Sequence, residues 1–168
     1  MAMEKHTISV LVENKFGVLA RIAGLFSGRG YNISSLTVNE THDPTVSKMT
    51  IVTTGDDAVV EQIDKQLNKL VDVIKVEDMN DSNCIERELA LFRVKTKNHE
   101  QRSQLLQLTE IFEGKIVLVH PGELGIELHG RADKIDNFIE LVKDFEIVET
   151  ARSGRVAISR NMGTAQER

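Results

Sequence analysis

Apolar and polar residues alternate at the start of the chain and then change to a helical spacing. Ile8, Val10 and Val12 recur at every second position, which is the period of a strand with one face on a core. The next apolar residues form one stripe on a helix: Val18, Leu19, Ile22, Ala23, Leu25 and Phe26. Gly28 and Gly30 then end this helix. The chain is therefore predicted to open as a strand followed by a helix.

The next segment has the pattern of two strands joined by a turn. Leu36 and Val38 indicate a second strand that follows Asn32. The turn formers at 42–44, His-Asp-Pro, separate it from a third strand at 49–53. These two strands are predicted to pair as a hairpin.

A second helix and a closing strand complete the first unit. Asp56 or Asp57 can serve as the N-cap of the helix. The inward face of this helix consists of Val59, Val60, Ile63, Leu67 and Leu70. The run 71–78 is predicted to be a strand, and its alternation slips between Val73 and Ile74, which indicates either a bulge or a strand buried on both faces. The predicted order of the unit is βαββαβ.

The same order returns after a polar linker at 80–83, Asn-Asp-Ser-Asn. Strands are predicted at 89–95, 115–120, around 124–128 and at 147–151, with a turn at Pro121 and Gly122. The apolar stripes of the two intervening helices consist of Leu105, Leu108, Ile111 and Phe112, and of Ile135, Phe138, Ile139 and Val142. The repeat has an offset of roughly 80 residues.

The sequence therefore predicts an α+β protein of two tandem βαββαβ sandwiches. The first domain is placed at 4–79, the second at 84–160, and a frayed tail at 161–168. In each domain two helices would cover one face of an antiparallel sheet. The opposite face and the edges would be free to pair with another copy.

Charge and cysteine content narrow the classes of function. The net charge is −5, and basic residues are interleaved with acidic ones, so a nucleic-acid partner is not expected. Cys84 is the only cysteine, which excludes an intramolecular disulfide and a multi-thiolate metal site. No signal peptide and no apolar run of membrane-spanning length is found. The expected location is the cytoplasm.

The loop at 13–19 is the candidate ligand site. It leaves the first strand and opens directly into the first helix, whose first N–H groups and dipole favour a carboxylate. Gly17 would let a ligand approach, and the amides of Asn14 and Asn32 could recognise an α-amino or α-carboxyl group. An aliphatic ligand side chain could be held by Val18, Leu19 and Ile33. Alternatively, Asn14 and Gly17 only shape a βα turn and Asn32 only caps the helix exit.

The residues around this loop resemble those of the small regulatory subunit of acetolactate synthase (acetohydroxyacid synthase). The resemblance rests on two motifs, Glu-Asn-Lys-Phe-Gly-Val-Leu-Ala-Arg at 13–21 and Gly-Leu-Phe-Ser-Gly-Arg-Gly-Tyr-Asn-Ile-Ser-Ser-Leu at 24–36. It continues through 43–50, 62–73, 86–89 and 151–154, so it covers nearly the whole chain.

The resemblance implies that the first unit is an ACT domain, a ferredoxin-like sensor that pairs side by side and binds an amino acid, usually valine, at the pairing interface. The effector residues of the family would be Asn14, Gly17, Val18 and Leu19 of one copy with Asn32 and Ile33 of the partner subunit. Lys15 and Phe16 would tune the effector choice or the contact with the enzyme. The second unit implies the longer form of the subunit.

The resemblance also implies a division of labour. The chain would activate a separate catalytic large subunit of branched-chain amino acid synthesis. It would have no catalytic residue, metal or cofactor of its own. Thiamine diphosphate, magnesium and FAD are expected on the catalytic partner. The alternative within this class is a stand-alone amino acid-binding ACT regulator that acts on a different enzyme.

Other functions lack the residues they need. No nucleophile, phosphate-loop or paired His–carboxylate motif indicates an enzyme. His120 and His129 flank a predicted hairpin and could meet across it, but two histidines without a carboxylate are more often a surface pair than a metal site. RNA-binding sheets of this topology stack bases on aromatic residues, which 46–52 lacks. A copper chaperone would need paired cysteines.

Overall fold

The structure, a computed structural model, describes residues 4–79 and 84–160. The described residues divide into two compact units, one formed by residues 4–79, 84–85 and 155–160, the other by Glu86–Gly154. The elements in chain order are β1 (Glu4–Glu13), α1 (Val18–Gly28), β2 (Ile33–Glu40), β3 (Val46–Gly55), α2 (Asp57–Leu67), β4 (Val73–Asp78), β5 (Cys84–Lys95), α3 (His99–Ile111), β6 (Lys115–His120), β7 (Glu123–Gly130), α4 (Ala132–Val142), β8 (Glu146–Arg152) and β9 (Val156–Ser159). The predicted α+β class and the repeated βαββαβ order are confirmed.

The first unit contains an antiparallel sheet in the order β2-β3-β1-β4, with α1 and α2 packed on one face. Alternate residues of the two central strands face the helices, as the period of two requires. Asp56 is the N-cap of α2, since its side chain accepts from the Val59 N–H. The buried core consists of Ile8, Val10, Val12, Val18, Ile22, Phe26, Met49, Ile51, Val60, Ile63 and Leu67.

The closing strand of the first unit contains a bulge. The pairing with β1 runs from Leu11 opposite Lys75 to Val12 opposite Val73, so Ile74 has no partner and is 55% exposed. Of the two readings of the slipped alternation, the bulge is therefore confirmed. The strand begins at Val73 rather than at 71, because the Val73 N–H donates to the Leu70 carbonyl in a turn (3.1 Å).

The opposite face of the first sheet is not free, which corrects the prediction. Thr7, Ser9 and Thr50 alternate with the core residues of their strands, yet they are buried. Arg155 covers part of this face of the sheet. Its guanidinium donates to Thr7 Oγ1 (3.3 Å), and its carbonyl accepts from Thr37 Oγ1 (2.9 Å). A polar face therefore has hydrogen-bonding partners within the unit.

The second unit repeats the architecture with the sheet order β6-β7-β5-β8. Its buried core consists of Ala90, Phe92, Val94, Leu105, Leu124, Ile126, Leu128, Ile135, Phe138 and Val142. The prediction that Ile111 faces this core is wrong, since its side chain is 73% exposed. Ile111 follows Leu105 by six residues, which places it about 240° around the helix from this core residue. Leu108 and Phe112 lie on the buried side.

The boundary at the end of the second unit lies near residue 155, earlier in the chain than the predicted boundary. The predicted second domain ran to residue 160, but from Arg155 on the chain returns to the first unit. The four residues of β9, which no pattern indicated, include buried Ala157. It belongs to a small cluster of Met79, Cys84 and Ala157. The predicted linker at 80–83 and tail at 161–168 lie outside the described residues.

No helix within residues 4–79 and 84–160 is long and apolar enough to cross a membrane.

Candidate effector site

The loop between β1 and α1 is fixed by hydrogen bonds to two other loops. The Glu13 N–H donates to the Asp72 carbonyl (2.9 Å), and the Asn14 N–H donates to the Thr45 carbonyl (2.7 Å). The start of β4 and the turn between β2 and β3 therefore hold the loop from both sides. None of these contacts is visible in the periodicity of the sequence, because their partners are about 30 to 60 residues away along the chain.

The amide of Asn14 is already oriented by the protein. Its Nδ2 donates to the Pro44 carbonyl (2.8 Å) and to Glu40 Oε1 (3.0 Å), so both of its hydrogens are engaged. Two acceptors around one nitrogen define which end of the amide is which. Asn14 Oδ1 is left to accept a hydrogen bond, for example from an ammonium group. The prediction offered this amide as donor and acceptor alike, and in this chain its donor is engaged by Pro44 and Glu40.

Gly17 is the N-cap of α1 and has a backbone conformation that favours glycine. Its φ is +84° and its ψ is −5°, in the left-handed region. A Cβ built at this position would meet no atom within 4 Å. The glycine is therefore required by backbone geometry rather than by close packing, and the space beside it is open.

The N-terminus of α1 has no anionic or polar side chain to satisfy it. No side chain caps the helix, and no acidic residue lies in its first turn. In contrast, α2 and α3 have the caps Asp56 and Asn98, and α4 has Asp133 in its first turn. Among the four helices of the described ranges, α1 alone has neither. The Val18 N–H donates to the Lys15 carbonyl over a long 3.4 Å, and the other N–H groups of the first turn and the positive end of the dipole are available to a ligand anion.

The three predicted apolar contacts have different environments. Val18 is 3% exposed and belongs to the core, because it lies on the same face of α1 as Ile22 and Phe26. Its side chain therefore packs inside the unit, and its N–H is in the first turn of the helix. Leu19 is 44% exposed, and Ile33 is partly buried against the core. These two can contact an aliphatic group.

Asn32 lies far from Asn14 in the same chain. Its side chain is exposed, and its carbonyl accepts from Thr53 Oγ1 (2.8 Å). Asn14 contacts Glu40 at the other end of β2, and the eight residues from Asn32 to Glu40 span about 26 Å at the rise of a strand. One chain therefore does not bring the predicted site residues together.

The geometry of β2 shows how two copies could do so. It is an edge strand of the first sheet, so its outer hydrogen-bonding groups can pair with another strand. If two copies of β2 paired antiparallel, the Ile33 end of one would lie opposite the Glu40 end of the other. That arrangement would place Asn32 of one copy near the Asn14 loop of the other.

The charges around the loop are paired with one another. Lys15 Nζ lies 2.5 Å from Glu13 Oε2, and Arg21 Nη2 lies 2.6 Å from Asp72 Oδ2. The hydrogen bond to the Glu13 carboxylate raises the pKa of Lys15 above its ordinary value. Because both cations have carboxylate partners, selectivity for an anion rests on the uncapped helix rather than on net positive charge. Phe16, between them, is fully exposed.

The predicted meeting of His120 and His129 is wrong. His120 pairs with Glu123 at the start of β7, whereas His129 is six residues further along that strand. Six residues of strand span about 20 Å, so the two imidazoles cannot share an ion. No group of three or more His, Cys, Asp or Glu residues that could hold a metal was found in the described part of the chain.

Two family models match consecutive parts of the chain. Residues 8–75 match the model described as an AHAS small subunit-like ACT domain, and residues 87–161 match the model described as the small subunit of acetolactate synthase. The two matches fall on the two βαββαβ repeats.

Whole-length relatives have the same description. The acetolactate synthase small subunit of Aquifex aeolicus is 50% identical over 165 residues, which is 98% of this chain and 86% of that protein. The acetolactate synthase isozyme 3 small subunit of Escherichia coli is 47% identical over 157 residues, which is 93% of this chain and 96% of that protein. The crystal structure of the acetolactate synthase small subunit from Thermotoga maritima superposes with a TM-score of 0.83 at 42% identity, over 94% of this chain and 98% of that one.

Proposed function

The chain belongs to the family of acetolactate synthase small subunits, and on that premise we propose that it makes a catalytic large subunit active and sensitive to valine. Its partner is the large subunit, which performs the chemistry of branched-chain amino acid synthesis. Thiamine diphosphate, magnesium and FAD are bound by that subunit, and this chain binds none of them. The complex is cytoplasmic.

The observation that carries the effector proposal is the uncapped N-terminus of α1 beside Asn14. An α-carboxylate at the first turn would accept from the N–H groups of Gly17 and Leu19, which have no acceptor inside the helix, whereas the Val18 N–H already donates to the Lys15 carbonyl (3.4 Å). The α-ammonium of the same ligand would donate to Asn14 Oδ1, whose amide is already held by Pro44 and Glu40. A zwitterionic amino acid has both of these groups on one carbon.

The choice of an aliphatic amino acid rests on Leu19 and Ile33. Both offer apolar surface, and the two cations nearest in sequence to Leu19, Lys15 and Arg21, are paired with carboxylates. The proposed pocket forms between two copies, with Asn32 and Ile33 supplied by the partner subunit, since the two ends of β2 are too far apart in one chain. Effector binding and pairing of the ACT domains would therefore be coupled.

A ligand of this size is expected to bind in the micromolar to millimolar range, about −8 to −4 kcal/mol. That range suits feedback by a metabolite pool. Inhibition further requires that valine favour one arrangement of the dimer, or of its complex with the large subunit, because equal affinity for both would shift nothing.

The test is calorimetric titration of the full chain with valine, with leucine and arginine in parallel. We expect saturable binding of valine and none of arginine. Asn32→Ala should abolish the binding, whereas Asn137→Ala, an exposed asparagine on α4, should leave it unchanged. Activation of the large subunit, measured without valine, distinguishes loss of the effector site from loss of the fold. A variant that loses both valine binding and activation is misfolded. The absence of valine binding both with and without the large subunit would contradict the sensor proposal.

A further inference from the structure

The second unit has a groove at the position that the effector loop occupies in the first. It lies between the loop from β5 to α3 and the turn from β6 to β7, and its volume is about 590 Å³. This volume is in the usual range for small-molecule sites. Its wall residues are Thr96, Lys97, Asn98, His99, Arg102, Val119, His120, Pro121 and Gly122.

The groove is cationic in a chain whose net charge is −5. Lys97 and Arg102 are its two cationic side chains, and the imidazoles of His99 and His120 lie beside them. No carboxylate is among the lining residues. The nearest acidic residue along the turn, Glu123, has Arg93 as its partner at 2.6 Å. The groove therefore collects positive charge that its own walls do not neutralise.

Both cations of the groove are among the four Lys and Arg residues of this unit, with Arg87 and Lys115, that form no salt bridge in the described ranges. Six of its basic side chains form salt bridges, namely Arg93, Lys95, Arg131, Lys134, Lys143 and Arg152. In the described ranges, no salt bridge involves Lys97 or Arg102. Two cations that face one cavity without a counter-ion repel each other, and a bound anion would remove that repulsion.

Arg102 is held in place for such a ligand. Its Nη1 donates to the His120 carbonyl (3.1 Å), which fixes the guanidinium across the groove and leaves its other donors available. A guanidinium presents a planar fork that matches two oxygens of a phosphate. Val119 and Pro121 add apolar surface beside it, which suits the organic part of a ligand.

The helix N-terminus is not the basis of this site. The Asn98 side chain accepts from the Gln101 N–H (2.9 Å), and Gln101 Oε1 accepts from the Lys97 N–H (2.9 Å), so α3 has a side-chain cap of its own. The side-chain cations, rather than free backbone donors, must therefore do the binding. In the first unit, by contrast, the cations of the loop are paired and the helix N-terminus has no side-chain cap.

We propose that this groove binds the phosphate group of a small organic phosphate. The site is separate from the amino acid site of the first unit and does not depend on it. The probe is inorganic pyrophosphate, titrated into the full chain by calorimetry at constant ionic strength, with malonate as a dianion that lacks phosphorus.

We expect saturable pyrophosphate binding that Arg102→Gln weakens about tenfold or more, because charge-assisted, two-pronged hydrogen bonds are lost. Lys97→Gln, at an exposed position, should weaken it as well and serves if Arg102→Gln unfolds. The matched control is Lys143→Gln, which removes one positive charge from α4 outside the groove and should change the affinity less than twofold. Asn32→Ala should have no effect.

Three results would overturn the proposal. The first is no saturable binding up to about 10 mM pyrophosphate, which is weaker than a specific site of this charge would allow. The second is equal weakening by Lys143→Gln, which would show general attraction to charge. The third is tighter binding of malonate than of pyrophosphate, which would exclude phosphate as the recognised group.

Discussion

Replacement of Gly17 by alanine separates backbone geometry from packing at the candidate effector site. With φ at +84°, an L side chain is strained there whatever the space around it. A Cβ at Gly17 would meet nothing within 4 Å, so no steric clash adds to this cost. The expected loss of stability is therefore the conformational term alone, about 1–2 kcal/mol.

The same helix provides a control of opposite sign. Gly24 is an exposed residue in the middle of α1, and a Cβ there would likewise meet nothing within 4 Å. Its φ is not in the left-handed region, so alanine at this position removes only the backbone entropy of glycine. Gly24→Ala should stabilise the protein by about 0.5–1 kcal/mol. The two variants should therefore differ by roughly 1.5–3 kcal/mol.

The assay is thermal unfolding of the full-length variants followed by far-UV circular dichroism. For a domain the size of the first unit, 1 kcal/mol corresponds to about 4–8 °C in Tm. Protein concentration must be the same throughout, because the proposed pairing of two copies would make Tm depend on it. Gly17→Asn provides a further check, since asparagine tolerates the left-handed region better than alanine and should lose less stability.

The reasoning is refuted if Gly17→Ala is as stable as the parent, or if both alanine variants shift Tm in the same direction. The first result would mean that the loop reaches α1 without a left-handed residue. In that case the argument that position 17 requires glycine for its backbone, and is open to a ligand, would fail with it.

Two further changes test charged residues outside the site. Glu88 is 5% exposed, and its carboxylate accepts from Nε (2.6 Å) and Nη2 (2.9 Å) of Arg152. Arg152→Gln removes this partner and also the contact with Asp136. The free energy of unfolding, measured in urea, should fall by about 2–3 kcal/mol, since a buried carboxylate is left without its cation. A fall below about 0.5 kcal/mol, as for a surface ion pair, would contradict this. Burial raises the pKa of Asp78 above its ordinary value despite the opposing effect of His6, so the folded state holds this proton more tightly than the unfolded state. The contribution of Asp78 to stability is therefore present at low pH and is lost as the pH rises through its raised pKa. Asp78→Asn should remove this loss and stabilise the protein at pH 7 by up to about 1 kcal/mol. The measurement is the free energy of unfolding at pH 4 and pH 7, and the same pH dependence in both proteins would refute the prediction.

Much of the fold was predictable because its elements are periodic and its turns have characteristic residues. The strands around Val10 and Phe92 alternate cleanly, and the slip at Ile74 marked a real bulge. Errors arose where the pattern was short or ambiguous. The four residues of β9 are too few for periodicity to indicate a strand. Ile111 is apolar and lies between Leu108 and Phe112 in the sequence, but its side chain is exposed, and apolar residues are common on surfaces.

The candidate site was less predictable, because its partners come from distant parts of the chain. The loop and the uncapped helix were evident from Gly17 and its neighbours. The contacts that orient Asn14, with Glu40 and Pro44, depend on how the hairpin folds back onto β1, and no local pattern reports that. Val18 shows the converse limit, since an apolar residue at a loop boundary can belong to the core or to a ligand pocket.

The separation of Asn14 and Asn32 affects how variants of this site must be interpreted. A pocket assembled from two ends of one strand needs two copies, so the Asn14 half and the Asn32 half of each pocket lie on different chains. Mixing a chain that has Asn14→Ala with a chain that has Asn32→Ala should then yield heterodimers with one intact and one doubly altered pocket. A site within one chain would yield none. Partial recovery of valine binding on mixing is therefore expected only if the pocket is shared between copies.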